Sequence, residues 1–397
     1  MANMVDYLAW RGDISLQAAP WNAVDGLLMA TLSYLNFHGI ADANGWTLRE
    51  AKRLDLVIPS PDNSFRPRLE AFTGMADSAR FGECRMHHFI AMSDETTNMQ
   101  FSAMCVDMPD GTMTVAFRGT DNTLVGWRED FNMSFQTWVP GQEAAGYYLA
   151  QAARSTDRPI RLAGHSKGGN LAVYAAAVAS PEVQDRVESI WSYDGPGMNR
   201  QISAGEGYRR IRDKIHSCIP QTSIIGLLMD YYTPYTVVKS VASGLSQHDP
   251  MSWQVYGAKF EEMESIDRKA AIVCETLHEW LQNSTPEQRG AFVDTLFRMA
   301  DNTDAEKMSD ILNEKFRSIR KMYGGRKEVD PETRRVFNRL IAQAVTLWVG
   351  NVVDRVRGQK DESVEVRHWT TMAPGEPPAG TDGKEPENDK SHLDNDG

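Results

Sequence analysis

Pro159-Ile-Arg-Leu-Ala-Gly-His-Ser-Lys-Gly-Gly-Asn-Leu-Ala-Val-Tyr174 is the stretch whose reading decides the fold. Ile160 to Ala163 is a short apolar run of the kind a buried parallel strand shows, and Leu171 to Ala179 is an alanine-rich helix former. Between them stands Gly164-His165-Ser166-Lys167-Gly168, the Gly-x-Ser-x-Gly pattern of a nucleophile elbow. A serine on a sharp strand-to-helix turn is held in strained backbone, and side chains two positions to either side would clash. The same turn leaves the first N–H groups of the helix without intrahelical partners, facing the place where an oxyanion develops.

Reading outward from this turn, Val187 to Tyr193 predicts a strand that ends in Asp194-Gly-Pro-Gly197, and Lys214 to Pro220 predicts the next one. Upstream, Gln142 to Arg154 reads as a helix. Before it come three strand-like runs, Arg85 to Met92, Gln100 to Met108 and Thr112 to Phe117, the last two joined at Pro109-Asp110-Gly111, a hairpin signal. Strand–elbow–helix–strand–helix–strand implies parallel strands with helical crossovers. Functional groups in such sheets gather at the carboxyl ends of strands, where Thr120, Ser166 and Asp194 fall. His87 and His88 are neighbours in the first strand-like run. Alternation along a strand puts them on opposite faces, so a shared metal is not expected and they read as structural.

Residues 1–80 read as a helical N-terminal segment: Val24, Leu27, Leu28, Thr31, Leu32 and Leu35 recur at helix spacing, and Thr47-Leu-Arg-Glu50 is a capping box. The division expected is therefore 1–80 helical, 81–258 α/β core, 259–357 C-terminal helices and 358–397 disordered tail. Ser223 to Gly244 is apolar and aromatic. It reads either as an acyl-pocket lining or lid, or as a helix packed on the sheet.

A serine nucleophile needs a base, and the base needs a carboxylate to fix its tautomer. In this type of sheet the chain order is serine, acid, histidine. His216 falls inside a strand and His278 on a later helix, whereas His248 follows the sheet segments in a polar loop and is the expected base. Asp194 is the expected acid because it ends the strand beside the elbow strand in a rigid turn. Asp230 is the alternative, and Asp249 is too close to His248 in sequence for a productive geometry.

Ala116-Phe-Arg-Gly-Thr120 with Trp127 and Asp130, then Gly-His-Ser-x-Gly-Gly, then a late histidine, resembles the class 3 (fungal-type) lipase group of α/β-hydrolases. Gly-His-Ser-Lys-Gly-Gly-Asn-Leu-Ala, Tyr-Asp-Gly-Pro-Gly and Gln-His-Asp taken together resemble, more narrowly, an uncharacterised bacterial lipase-like family of that fold. The resemblance covers roughly residues 85–256. It implies Ser166 as nucleophile, with the backbone N–H groups of Thr120 and Lys167 as oxyanion donors. Two departures stand out. Lys167 occupies a position that is apolar in class 3 lipases, and Pro220-Gln-Thr-Ser-Ile-Ile225 carries no carboxylate where those enzymes place their acid. The second departure moves the acid to Asp194, the position some other lipases of this fold use.

The chain of 397 residues carries a formal charge of −12 without a basic run, which argues against a nucleic-acid surface. Cys84, Cys105, Cys218 and Cys274 lack metal-ligand spacing and read as reduced thiols. No signal-peptide pattern or uncharged apolar run of about 18 residues is present, so the expectation is a cytoplasmic protein without a transmembrane segment. The leading expectation is an α/β-hydrolase-like serine hydrolase of ester or thioester bonds that needs no metal or organic cofactor. Its substrate would be a small-molecule or lipid ester, and peripheral contact with a membrane surface is compatible with the apolar stretch. Acyl transfer or peptide cleavage would use the same nucleophile. The alternative from another class is a degenerate hydrolase core acting as a binding scaffold, with the C-terminal helices as the partner surface.

Overall fold

The computed structural model describes residues 2–290 apart from 38–43, 59–64, 95, 121–128, 131, 134–135, 137, 230–232, 269, 273, 276–282 and 286. Trp127, Asp230, His278 and everything beyond residue 290, including the expected C-terminal helices and tail, lie outside the described residues. Within them the capping signal at Thr285 is present, with Gln288 N donating to Thr285 Oγ1 at 3.2 Å and Thr285 N to Gln288 Oε1 at 2.8 Å.

The N-terminal part holds helices α1 (Met4–Arg11), α2 (Ala23–Leu32), α3 (Leu48–Arg53) and α4 (Phe65–Asp77), with two-residue strands β1 (Asn36–Phe37), β2 (Trp46–Thr47) and β3 (Val57–Ile58) between them. Asn3, Asn22 and Thr47 cap the first three helices through capping boxes completed by Asp6, Asp25 and Glu50. Next come β4 (Arg85–Asp94), β5 (Met99–Asp107) and β6 (Met113–Phe117) in antiparallel succession. Helix α5 (Pro140–Arg154) leads to β7 (Ile160–His165), and α6 (Lys167–Val178) to β8 (Val187–Tyr193). The chain continues through β9 (Ile215–Pro220) and β10 (Tyr235–Val238), then β11 (Val255–Tyr256), β12 (Lys259–Phe260) and β13 (Glu262–Met263).

One nine-stranded sheet runs β13-β10-β9-β8-β7-β6-β5-β4-β2. The five strands β6 to β10 are parallel and lie side by side in chain order. Successive residues of each strand feed opposite layers. Val115 and Leu162 pack with Leu149 and Leu171 under α5 and α6, while Ala116 and Ala163 face Val24, Leu27 and Leu28 of α2. Small residues on that face let α2 lie close. A Cβ on Gly26 would stand 2.2 Å from the Tyr193 hydroxyl, which donates to Ala23 O at 2.6 Å. Buried side chains from Met4 to Ala76 thus share one cluster with the sheet.

Two expectations are corrected here. Ser223 to Gly244 does not form a helix in its described residues. A single 3₁₀ turn at Ile225–Leu227 is followed by strand β10, because Tyr235-Thr-Val-Val238 is one aromatic and three β-branched residues and pairs in parallel with β9. The alternation assumed for His87 and His88 also fails. The β4–β5 register jumps between His87 and Ile90, and His88 takes a left-handed φ of 52°. This bulge turns both rings to one side, with Nδ1 to Nδ1 at 2.6 Å. No helix among the described residues is long and apolar enough to cross a membrane.

Candidate active site

Ser166 stands between β7 and α6 with φ 58° and ψ −133°, a backbone region that L-residues rarely enter. The strain is held from several sides. Ser166 N donates to Tyr193 O at 2.9 Å, and Gly169 N donates to Ser166 O at 2.9 Å. The flanking glycines are required by close approach. A Cβ on Gly164 would lie 2.1 Å from Gly168 O, and one on Gly168 would lie 2.2 Å from Phe117 O.

Asp194 follows β8, the strand paired with β7, and is 1% exposed. Its carboxylate is fully engaged. Oδ2 meets His248 Nδ1 at 2.6 Å, and Oδ1 accepts from the Ser223 hydroxyl and from Gly226 N at 3.1 Å. Ser223 lies in the Pro220–Ile225 segment that carries no carboxylate, and it supplies a donor to Asp194. Asp230 is outside the described residues.

His248 closes a 3₁₀ turn, Gly244–His248, that is tied down through Gln247. Trp253 Nε1 donates to Gln247 O at 2.8 Å, and Thr222 N donates to Gln247 Oε1 at 2.9 Å. The His248 carbonyl takes a 2.7 Å hydrogen bond from His165 Nε2, so His165 carries its proton there and its Nδ1 accepts from the Tyr34 hydroxyl at 2.9 Å. Burial first, and the neighbouring His248 second, hold His165 well below the usual imidazole range and keep it neutral. No local pattern marks this role for the elbow histidine, because its partners, Tyr34 and His248, are remote along the chain. His216 stacks on Trp191, with ring centroids 4.3 Å apart, away from this group.

The Thr120 hydroxyl donates to Asp130 Oδ2 at 2.5 Å. Burial pushes Asp130 up to about 6, opposed by the Lys167 charge and the Thr120 hydrogen bond. The Lys167 side chain is 1% exposed, with Nζ 2.8 Å from Glu129 Oε2, 2.8 Å from Gln100 O, 3.1 Å from Gln100 Oε1 and 4.0 Å from Asp130 Oδ1. Glu129 also accepts from Gln100 N at 3.0 Å and from Gly141 N, at the start of α5, at 2.7 Å. A lysine after the serine is therefore an internal strut joining the elbow, β5 and α5. Neither Glu129 nor Gln100 carries a sequence signal that would have found it.

A mixed sheet with a parallel centre, helices on both faces and a strained serine between strand and helix defines an α/β-hydrolase-like fold. A family model described as Mbeg1-like matches residues 75–298, and the chain belongs to that lipase-like family. No curated protein matches the chain. Among solved structures, M37 lipase is similar at 15% identity and TM-score 0.32, over 51% of this chain and 69% of its own. A fungal lipase in complex with an inhibitor is similar at 14% and 0.30, over 43% and 68%. The Rhizomucor miehei lipase in complex with its propeptide is similar at 12% and 0.27, over 44% and 70%.

Proposed function

We propose that this protein is a serine hydrolase of carboxylic ester or thioester bonds, with Ser166 as nucleophile, His248 as base and Asp194 as the orienting acid. The observation that carries the reading is the 2.6 Å contact between Asp194 Oδ2 and His248 Nδ1 at the strand edge where Ser166 is strained. A proton held on Nδ1 leaves Nε2 with the lone pair needed to accept the serine proton. Ser166 Oγ bonds to the acyl carbon as its proton passes to His248 Nε2. The N–H groups of Thr120 and Lys167 receive the oxyanion, and the imidazolium then protonates the leaving group. Water gives a proton to His248, attacks the acyl carbon and releases the acid, while Ser166 regains its proton.

Two details favour an active rather than a degenerate core. The Lys167 ammonium is held by Glu129 and Gln100, so a charged residue after the serine is a buried, paired strut rather than a sign of a broken elbow. The missing carboxylate near Pro220 is offset by the Ser223 hydroxyl held on Asp194. The test is labelling of purified protein with a fluorophosphonate. Wild type should label, Ser166→Ala should not, and His248→Ala should label far more slowly. A wild-type protein that stays unlabelled and inert on short aryl esters would favour the scaffold reading.

A further inference from the structure

The bulge in β4 builds a second constellation away from Ser166. His87 Nδ1 and His88 Nδ1 are 2.6 Å apart, and with Cys105 Sγ, on the paired strand β5, the three atoms all lie within 4.8 Å of one another. His87 and Cys105 are register partners across the ladder, so the thiol comes from directly opposite. His87 Nε2 faces Asp107 Oδ1 at 3.4 Å. A carboxylate there favours the proton on Nε2 and leaves a lone pair on Nδ1. Two imidazole nitrogens this close either share one N–H···N hydrogen bond or turn two lone pairs toward a common cation, and the nearby thiol supplies a third donor for the latter. The backbone holds His88 in a left-handed conformation to achieve this, a strain of the kind found at ligand sites. His88 and Cys105 also line a cavity of about 360 Å³, together with Tyr148, Gln151, Arg154 and Ser155.

We infer that His87, His88 and Cys105 form a binding site for a divalent transition-metal ion of the Zn²⁺ type, with the fourth coordination position open toward that cavity. Two imidazoles and a thiolate are the donor set of borderline-soft cations, and three protein ligands leave one tetrahedral position. A metal–nitrogen bond of about 2.0–2.1 Å would part the two nitrogens to roughly 3.3 Å, a shift that small side-chain rotations supply. Cys105 binds as thiolate, its proton passing to bulk water, and the metal keeps its oxidation state. Asp107 balances the charge as the outer partner of His87. Cys105 lies about 17 Å along β5 from Gln100, the Lys167 partner, by strand rise, so the ion clamps the β4–β5 pair and takes no part in acyl chemistry.

The test uses the full chain, stripped with chelator and titrated with Co²⁺, then with Zn²⁺. One equivalent of Co²⁺ should produce a near-ultraviolet thiolate charge-transfer band and the visible bands of a tetrahedral site. One equivalent of Zn²⁺ should bleach both and raise the melting temperature by roughly 5 °C. C105S should lose the charge-transfer band, and His88→Gln should weaken Co²⁺ binding at least 10-fold, a typical loss on removing a ligand or its support. If C105S does not fold, His88→Gln decides. No charge-transfer band in the wild type, or an unchanged spectrum in the variants, overturns the site and leaves an imidazole–imidazole hydrogen bond. Fluorophosphonate labelling of Ser166 should be the same with and without the metal.

Discussion

Lys167 Nζ lies 2.8 Å from Glu129 Oε2 behind the strained serine, and both side chains are 1% exposed. The ion pair links three parts of the site. Lys167 is the first residue of the helix that follows Ser166, Glu129 adjoins the Asp130 that holds Thr120, and the Glu129 carboxylate also binds the start of α5. Removing one partner leaves a buried charge with too few partners, whereas removing both does not.

Lys167→Met should therefore destabilise the protein by about 3–5 kcal/mol in urea unfolding, and Lys167→Met with Glu129→Gln by clearly less. Additive losses in the double variant would show that the two side chains act independently.

Asp194→Asn should lower kcat on a short aryl ester by roughly 10⁴-fold with little change in KM, because the imidazole loses its tautomer and its counter-charge. Ser223→Ala should cost about 10-fold, since Asp194 keeps its bond from Gly226 N. Asp230→Asn should remain near wild type. Steady-state kinetics on the three variants ranks the acids directly, and a crippled Asp230 variant beside a near-normal Asp194 variant would reverse the assignment.

Asp130 is pushed up to about 6 from a model-compound value of 3.8, chiefly by burial. The folded state therefore binds this proton more tightly than the unfolded state. Its contribution to stability is present below pH 3.8 and is lost as pH rises toward 6. Asp130→Asn removes that slope. Between pH 4 and pH 7 its stability should gain about 2–3 kcal/mol relative to wild type. Parallel stability curves for the two proteins would contradict the assignment.

Arg80 and Asp25 are fully buried and paired at 2.5 and 2.9 Å, and Arg80 also donates to the carbonyls of Ile14, Ala19 and Pro20. This pair fastens α2, which covers the sheet beneath the elbow. Arg80→Met should cost about 3–5 kcal/mol by calorimetry or urea unfolding.

The amino-acid sequence by itself determined the elements that depend on local pattern. Apolar runs and turn residues placed β4 to β9 within two or three residues of their observed ends. The threonine cap at Thr47 opened α3, and Gly164, Ser166 and Gly168 marked the elbow, because a strained turn between strand and helix admits few other residues. Tertiary structure alone decided what reaches across the chain. Glu129 meets Lys167 from 38 residues away, His165 holds the carbonyl of His248 from 83, and Ser223 donates to Asp194 from 29. The bulge that brings His87 and His88 together reverses a rule that holds only for regular strands. Such contacts satisfy buried polar groups, and which groups are buried together is set by the packing of layers rather than by neighbours in the chain.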